Sequence, residues 1–206
     1  MGLGIIGTGA IAAVHAQCLI DSNVPISSVS GINQSEVDEF AKKFSVAKSY
    51  LNHLELLSDP NVDAVIVATP SDSHASISVD VLKSGKAVLC EVPISLSFTS
   101  YLEVLDASRK SKKLTAVCQT LRYSNAHLEL KRILTSENLK PLSVLVRNLM
   151  LRQENIGWTG VKRTWTDSVL WHHGAHSFDI ALWLLEPTNP VVDLRSGPIW
   201  GDKQIM

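Results

Sequence analysis

The sequence predicts an α/β fold built on a doubly wound parallel sheet. Short apolar segments alternate with helical segments from the first residues to about residue 118, an order typical of consecutive β-α-β units with short loops. The segment AVIVA at residues 64–68 is apolar throughout, as expected for a strand that is buried on both faces. The regular alternation of strand and helix segments ends after this series, so we predict one domain over residues 1–118 and a second over residues 119–206.

The predicted elements of the first domain follow in order. Strands are predicted at LGII, ISSVSGI, AKSY, DAVIVA, AVLCE and LTAVC. Helices are predicted from about Ala10 and at SEVDEFAKKF, HLELL, SHASISVDVLKSG and FTSYLEVLDASRKS. The pattern is therefore six strands joined by five helices.

The second domain is predicted to be α/β and incomplete. A helix is expected near residues 126–136, a strand at LSVLVRNLML (residues 142–151), a helix over residues 168–185 and a strand at VVDLRSGPIW. The sequence ends at GPIWGDKQIM, before a domain of ordinary size would be complete. We therefore expect a C-terminally truncated chain whose last strand lacks partners.

Composition narrows the class of protein. The chain has 206 residues, 45% of them hydrophobic and 19% charged, and its net charge is −1. These values are typical of a globular protein and argue against a nucleic-acid or membrane-surface partner. Cys18, Cys90 and Cys118 are widely spaced and form no C-x-x-C pair, which indicates reduced cysteines in a cytoplasmic protein. No apolar run approaches the length of a membrane span.

A glycine motif near the N-terminus predicts a dinucleotide site. GIIGTGAIA places Gly7, Gly9 and Ala12 between the first strand and the first helix. Gly7 permits a tight turn, Gly9 lets a pyrophosphate approach the backbone, and Ala12 lets the helix pack closely on the strand. The first helical residues, Ala10 and Ile11, add N–H groups at the positive end of the helix dipole. The alternative is a small-residue turn that only packs the helix on the sheet.

The end of the second strand leaves the choice between NAD and NADP open. An acidic residue usually stands there and holds the ribose hydroxyls of NAD, whereas this chain reads GINQS with Asn33 at the expected position. An asparagine bonds a hydroxyl without repelling a 2′-phosphate, yet no arginine beside it would attract one. Either cofactor therefore fits.

Three further segments carry a family resemblance. VDAVIVATPSDSHASISVDVLKSGKAVLCEVPIS resembles the T-P-x-x-x-H … G-K-x-V-x-x-E-K-P run of the Gfo/Idh/MocA oxidoreductases. LRYSNAH resembles the R-F/Y-x-P element of that family, and HHGAHSFDIALWLL resembles its D-x-G-x-H-x-x-D helix. The resemblance implies an N-terminal Rossmann domain that binds NAD(P), a small-molecule substrate, and a C-terminal α/β domain whose sheet mediates homo-oligomers.

The resemblance also implies cofactor contacts at the ends of the fourth and fifth strands. It places Thr69 and Pro70 after the fourth strand, His74 at the start of the following helix, and Glu91 after the fifth strand. Glu91 would contact the nicotinamide ribose, and Pro93 would follow a cis peptide bond. The alternative for His74 is helix capping or packing beside the cofactor.

Two departures from the family pattern point to one branch. Val92 stands where the family usually has its proton-transfer lysine. His172 stands where the family usually has an aspartate before the helix histidine. The 4-carboxy-2-hydroxymuconate-6-semialdehyde dehydrogenases are similar in both respects, since EVP and WTDSVLWHHGAH resemble their E-I-P and W-T-D-x-x-L-W-H-H-x-A-H runs. That branch oxidises a carboxylate-bearing hemiacetal with NADP, and its two arginines correspond to Arg152 and Arg163.

The histidine-rich helix allows three interpretations. On a continuous helix His172, His176, Asp179 and Trp183 share one face, and His173 points away from it. A metal site would use His172 and His176, with Asp167 as the one candidate for a third ligand, and we predict none. A packing role would place the rings beside tryptophans, with Asp179 holding a ring N–H. The catalytic interpretation makes His176 the proton acceptor, with His172 assisting or contacting substrate.

Three arginines are candidate substrate ligands. Arg122, Arg152 and Arg163 would clamp carboxylates through paired hydrogen bonds, and the alternative for each is an ordinary surface arginine. The sequence thus predicts an NAD(P)-dependent oxidoreductase acting on a hydroxy or hemiacetal compound. The alternatives are a non-catalytic dinucleotide sensor, which the missing lysine would suit, and an inactive truncated fragment.

Overall fold

The computed structural model describes residues 2–148, 156 and 170–193. The chain divides into two compact units, Met1–Cys118 and Gln119–Met206. None of the helices in the described ranges has the length and apolar character that crossing a bilayer requires.

The first unit contains a six-stranded sheet in the order β3-β2-β1-β4-β5-β6. Every adjacent pair of strands is parallel. The strands are β1 (Leu3–Ile6), β2 (Ile26–Ser30), β3 (Lys48–Tyr50), β4 (Ala64–Val67), β5 (Ala87–Cys90) and β6 (Thr115–Val117). This sheet confirms the predicted doubly wound fold, in which the chain runs outward from β1 in one direction and then from β4 in the other.

Helices cover both faces of the sheet. They are α1 (Ala10–Asp21), α2 (Gln34–Lys43), α3 (His53–Ser58), α4 (His74–Lys83) and α5 (Phe98–Ser111). Along β4, Val65 and Val67 join a core with residues of α3, α4 and α5, whereas Ile66 joins a second core with residues of α1 and α2. The strand is apolar at every position because both of its faces are buried.

Side-chain caps fix where several of these helices begin. The carboxamide oxygen of Asn33 accepts the N–H groups of Ser35 and Glu36 at the start of α2. Asn52 caps α3 in the same way, and the Ser97 hydroxyl caps α5. These caps satisfy N–H groups that have no partner within the helix.

In the described ranges the second unit contains helices and helical turns joined to irregular segments. It contains a 3₁₀ turn (Thr120–Tyr123), α6 (Asn125–Ser136), a π-helical turn (Leu170–Gly174) and α7 (Ala175–Leu185). The single helix predicted over residues 168–185 is therefore wrong in its first part. The shared-face argument holds for His176, Asp179 and Trp183, which lie in α7, but the π-turn changes the phase of His172.

The strand predicted over residues 142–151 is also wrong where it is described, because residues 142–148 form no regular structure. Leu142 and Leu145 are exposed, and residues 142–148 pair with none of the described strands. Of the strand predicted at VVDLRSGPIW, residues 191–193 are not in a strand. Residues 149–151 and 194–200 lie outside the described ranges.

A buried carboxylate organises the loop between α3 and β4. Asp59 accepts hydrogen bonds from Lys48 Nζ at 3.0 Å, from Tyr50 Oη at 3.2 Å and from Asn61. The backbone N–H of Asn61 and the Lys48 ammonium are foremost in lowering the pKa of Asp59 to about 2. Nearby, the buried Lys86 ammonium donates to the carbonyl oxygens of Asp59 and Val62.

We predict that Asp59 makes the fold acid-sensitive in a narrow range. Because its pKa is lower in the folded chain than the ordinary 3.8, its stabilising contribution is present above that value and is lost as the pH falls towards 2. Asp59→Asn should lower the free energy of unfolding by about 1–3 kcal/mol at neutral pH. Denaturant unfolding at pH 7 and pH 3 measures both effects, and the exposed Asp38→Asn is the control. Equal losses for Asp59→Asn and Asp38→Asn would contradict this role.

Candidate functional site

The turn after β1 requires glycine at its first position. Gly7 has a φ of +117°, and a Cβ on it would overlap the carbonyl oxygen of Ala68 at the end of β4. Its N–H donates to the carbonyl oxygen of Ser30 at 2.8 Å. Gly7 is thus held between β2 and β4, where the two directions of the sheet diverge.

Gly9 differs from Gly7, because the fold itself does not require a glycine there. Its φ of −73° and ψ of −176° are accessible to any residue, and a Cβ built on it meets nothing within 4 Å. The space in front of Gly9 is therefore open. A glycine at such a position lets another molecule approach the backbone closely.

The N-terminus of α1 faces this open space with free N–H groups. No side chain caps α1, and its first turn holds no acidic residue. The backbone N–H groups of Ala10, Ile11 and Ala12 have no partner among the described residues. Free N–H groups and a helix dipole favour a bound anion such as a pyrophosphate.

The end of β2 differs from the expected ribose site. The residue directly after β2 is Gly31, and a Cβ there would lie 2.8 Å from Val37 Cγ2 and 3.0 Å from Thr8 Cγ2. Asn33 lies two residues further and is exposed, with its carboxamide oxygen committed to the α2 cap. Of the Asn33 side chain, the NH₂ group remains available to contact a ribose.

His74 ties together the loops that follow β4 and β5. It is buried at the start of α4, with Nδ1 2.7 Å from the carbonyl oxygen of Pro93 and Nε2 2.8 Å from that of Thr69. The Val92–Pro93 peptide bond is cis, as the family resemblance implies. Since a neutral imidazole has one N–H, the ring donates to one carbonyl when neutral and to both when protonated.

The Thr69–Pro70 turn has a second attachment to α4. The hydroxyl of Ser73 donates to Thr69 Oγ1 at 2.7 Å and lies 2.8 Å from the Pro70 carbonyl oxygen. His74 and Ser73 thus hold Thr69, Pro70 and Pro93, three of the predicted cofactor residues, in one rigid group.

Glu91 lies at the end of β5 against His15 of α1. His15 Nε2 and Glu91 Oε1 are 2.6 Å apart, and Glu91 Oε2 accepts the N–H of Val92. Burial would raise the pKa of Glu91, but the hydrogen bond and charge of His15 together with the Val92 N–H outweigh it and lower this pKa. Glu91 is therefore an ionised hydrogen-bond acceptor at the carboxyl edge of the sheet.

Cys118 completes a small polar cluster with this pair. One ligand atom from each of His15, Glu91 and Cys118 lies within 4.8 Å of the others. Burial, and then the charge of Glu91, raise the pKa of the Cys118 thiol; burial raises that of Cys90 to about 12. In this structure the cluster is a hydrogen-bonded His15–Glu91 pair beside a buried thiol.

In the second unit Arg122 is paired with Asp179. Its Nε and Nη2 donate to the two carboxylate oxygens of Asp179 at 2.7 and 2.5 Å, and these hydrogen bonds to Asp179 raise the pKa of Arg122. Asp179 therefore binds an arginine rather than a histidine ring, contrary to the packing interpretation. One edge of the Arg122 guanidinium is committed to this pair.

His176 lies in α7, one turn before Asp179. Its Nδ1 is buried and has no hydrogen-bond partner within the described ranges. A buried ring nitrogen without a partner is uncommon and is often explained by a functional role or an absent ligand.

Other predicted site residues lie outside the described residues: Arg152, Arg163 and Asp167, together with the side chain of His172. Their roles stay predictions.

Sequence reasoning missed three residues of the first unit. His15 is the one ionisable side chain in the apolar run AIAAVHA, and that contrast was the available signal. Thr8 and Glu36 are also joined, since Thr8 Oγ1 donates to Glu36 Oε2 at 3.2 Å. Nothing in their local sequence marks Thr8 and Glu36 as partners.

Comparison with known proteins gives matches over most of the chain. Residues 1–119 match the family model of the Gfo/Idh/MocA oxidoreductases, described as an oxidoreductase family with an NAD-binding Rossmann fold. Residues 125–206 match the model of the C-terminal region of bacterial oxidoreductases.

Individual relatives are distant and longer. The chain is 29% identical over 181 residues, 87% of its length and 58% of the relative's, to a 4-carboxy-2-hydroxymuconate-6-semialdehyde dehydrogenase from Sphingobium sp. SYK-6. It is 30% identical over 189 residues, 90% of its length and 54% of the relative's, to an inositol 2-dehydrogenase from Saccharopolyspora erythraea. The chain thus spans little more than half the length of these curated relatives.

Solved structures agree on the fold. An NAD-binding oxidoreductase from Klebsiella pneumoniae superimposes with a TM-score of 0.69 at 22% sequence identity, covering 90% of this chain and 53% of that one.

We predict that His74 stabilises the loops after β4 and β5. His74→Ala would remove the ring that contacts both carbonyl oxygens and leave a buried cavity, lowering the free energy of unfolding by about 2–4 kcal/mol. Denaturant unfolding measures this loss, and Ser76→Ala, at an exposed position of the same helix, should be nearly neutral. A loss below about 1 kcal/mol for His74→Ala would contradict the role of this residue.

Proposed function

The chain belongs to the Gfo/Idh/MocA oxidoreductase family, and from this premise we propose that it is an NAD(P)-dependent oxidoreductase acting on a hydroxy or hemiacetal compound. The observation that carries this proposal is the open space before Gly9, beside the uncapped start of α1. It fits a dinucleotide pyrophosphate, because glycine has no intramolecular reason to be there.

The residues around the carboxyl edge of the sheet have distinct parts in holding the cofactor. The N–H groups of Ala10, Ile11 and Ala12 would bind the pyrophosphate, since they lack partners within the described part of the chain. Thr69, Pro70 and Pro93, fixed by His74, would border the nicotinamide half. Glu91, ionised and oriented by His15, would accept a ribose hydroxyl.

When bound, the dinucleotide supplies a nicotinamide ring that accepts hydride from the substrate carbon. His176 would accept the hydroxyl proton as the substrate C–O bond becomes a carbonyl, because an imidazole is a base suited to neutral pH and the family resemblance places this residue at the nicotinamide. Val92 is buried and apolar and carries no proton, so the lysine of the family pattern has no substitute at its own position. Asp179 and Arg122 brace α7 against the 3₁₀ turn and so position His176.

The similarity to the 4-carboxy-2-hydroxymuconate-6-semialdehyde dehydrogenase supports a substrate class. We infer a cyclic, carboxylate-bearing hydroxy compound or hemiacetal, whose hydroxyl is more acidic than that of a simple alcohol and needs a weaker base than lysine. Arg163 and Arg152 would hold its carboxylates through paired hydrogen bonds, with the free edge of the Arg122 guanidinium and with His172 as further contacts.

The proposal includes a cytoplasmic location and a homo-oligomer. The free thiols of Cys18, Cys90 and Cys118 suit the reducing cytoplasm. A second copy of the chain would pack on the sheet of the C-terminal domain, as the family resemblance implies.

A dinucleotide sensor is the second candidate, and the buried Val92 in place of a proton-carrying lysine favours it. The two functions differ in turnover. A sensor binds the dinucleotide but does not reduce it, whichever substrate is offered. A screen of hydroxy acids and hemiacetals, followed at the absorbance of reduced nicotinamide, separates them.

We predict that Gly9→Ala weakens dinucleotide binding without weakening the fold. The added methyl group would occupy open space in the free protein and collide with a pyrophosphate, so affinity should fall at least about tenfold while the free energy of unfolding changes by less than about 1 kcal/mol. Calorimetric titration with NADH and NADPH measures the affinity. Gly7→Ala is the contrast, because it should destabilise the fold itself. Unchanged affinity in Gly9→Ala would refute the proposed site.

We predict that His176→Gln lowers kcat by about 100-fold or more and leaves dinucleotide affinity unchanged, since the variant removes only the proton acceptor. Steady-state kinetics on a substrate found by the screen, with titration of the cofactor, measure the two quantities. His127→Gln in α6 is the matched control and should keep its activity. Comparable kcat values in His176→Gln and the unsubstituted chain would exclude His176 as the base.

A further inference from the structure

The loop that would hold the adenosine half of the cofactor carries one unusual pair, Thr8 and Glu36. Thr8 is the residue between the two glycines of the first turn, and Glu36 lies in the first turn of α2. Thr8 Oγ1 donates to Glu36 Oε2 at 3.2 Å, so the Glu36 carboxylate reaches the glycine turn from the neighbouring β-α unit. The contact joins the two loops between which a ribose lies in a dinucleotide fold.

The ordinary acidic position at the end of β2 is closed in this chain. Gly31 occupies it, and a Cβ there would meet Val37 Cγ2 at 2.8 Å and Thr8 Cγ2 at 3.0 Å. A carboxylate therefore cannot come from residue 31 unless Thr8 or Val37 moves. Asn33 offers no negative charge, and its oxygen is committed to the helix cap.

We propose that Glu36 replaces the missing acidic residue and makes this chain prefer NAD(H) over NADP(H). This inference rests on the proposed function. The Glu36 carboxylate accepts hydrogen bonds from the ribose hydroxyls at the edge of the glycine turn, with Thr8 Oγ1 orienting it. A 2′-phosphate at the same place would meet this negative charge.

The charges around the pair favour the same choice. Within the described loops after β1, β2 and β3, namely residues 7–9, 31–33 and 51–52, no lysine or arginine is present to neutralise a 2′-phosphate. The basic residues of α2, Lys42 and Lys43, lie in its last turn, at the opposite end from Glu36.

Ile32 is the second feature that points to an adenosine. It is 98% exposed in the loop between β2 and α2, so its side chain offers an apolar surface to a bound molecule. An adenine ring packed on Ile32 would cover it and bring the attached ribose towards Glu36. The subsite thus combines an apolar surface for the base with a carboxylate for the diol.

The experiment is a calorimetric titration of the full chain with NADH and NADPH, and with ADP-ribose and its 2′-phosphate to isolate the adenosine half. The unsubstituted chain should bind NADH at least about tenfold more tightly than NADPH. Glu36→Gln should reduce this ratio to within about threefold of unity, and Glu36→Arg should reverse it. Ile32→Ser should weaken both cofactors equally.

The control is Glu39→Gln, which removes the same charge from an exposed position of the same helix and should keep the ratio of the unsubstituted chain. Denaturant unfolding checks that each variant is folded. A ratio near unity in the unsubstituted chain, or a ratio that Glu36→Gln leaves unchanged, overturns this inference while leaving the proposed function intact. Binding of neither dinucleotide to folded protein overturns both.

Discussion

The parallel pairing of β1 with β2 on one side and with β4 on the other is the constraint on which the first unit depends. It places the glycine turn where the two directions of the sheet separate, so that the loops after β1, β2 and β4 diverge around one crevice. Gly7 shows how tight this place is, because its backbone lies against the Ala68 carbonyl. Gly9, two residues further along the same turn, instead faces open space.

Local patterns were enough to predict the first unit. Apolar runs identify β1, β4 and β5 because strands covered on both faces tolerate few polar residues, and the glycine motif identifies the turn because only glycine adopts the backbone of Gly7. The interactions that organise the site were beyond such patterns. His15 and Glu91 are 76 residues apart, and Thr8 and Glu36 are 28 residues apart; only the folded sheet brings each pair together.

The second unit shows the opposite case, in which a local pattern misleads. Residues 142–148 have the composition of a strand, yet a strand exists only when a neighbour accepts its backbone hydrogen bonds, and none of the described elements does so. The π-turn at Leu170–Gly174 was equally hidden, because its sequence is compatible with an α-helix. The Arg122–Asp179 pair, 57 residues apart, decides which polar groups of α7 remain available.

The two contacts of His74 also bear on the entropy of binding. A loop that is disordered before a ligand arrives must lose backbone freedom at that moment, and affinity falls accordingly. Here the turn after β4 and the cis-proline segment after β5 are joined to the same imidazole in the free protein. That half of the crevice is preorganised. A ligand that binds there meets loops that are already ordered, so little backbone entropy is lost on binding.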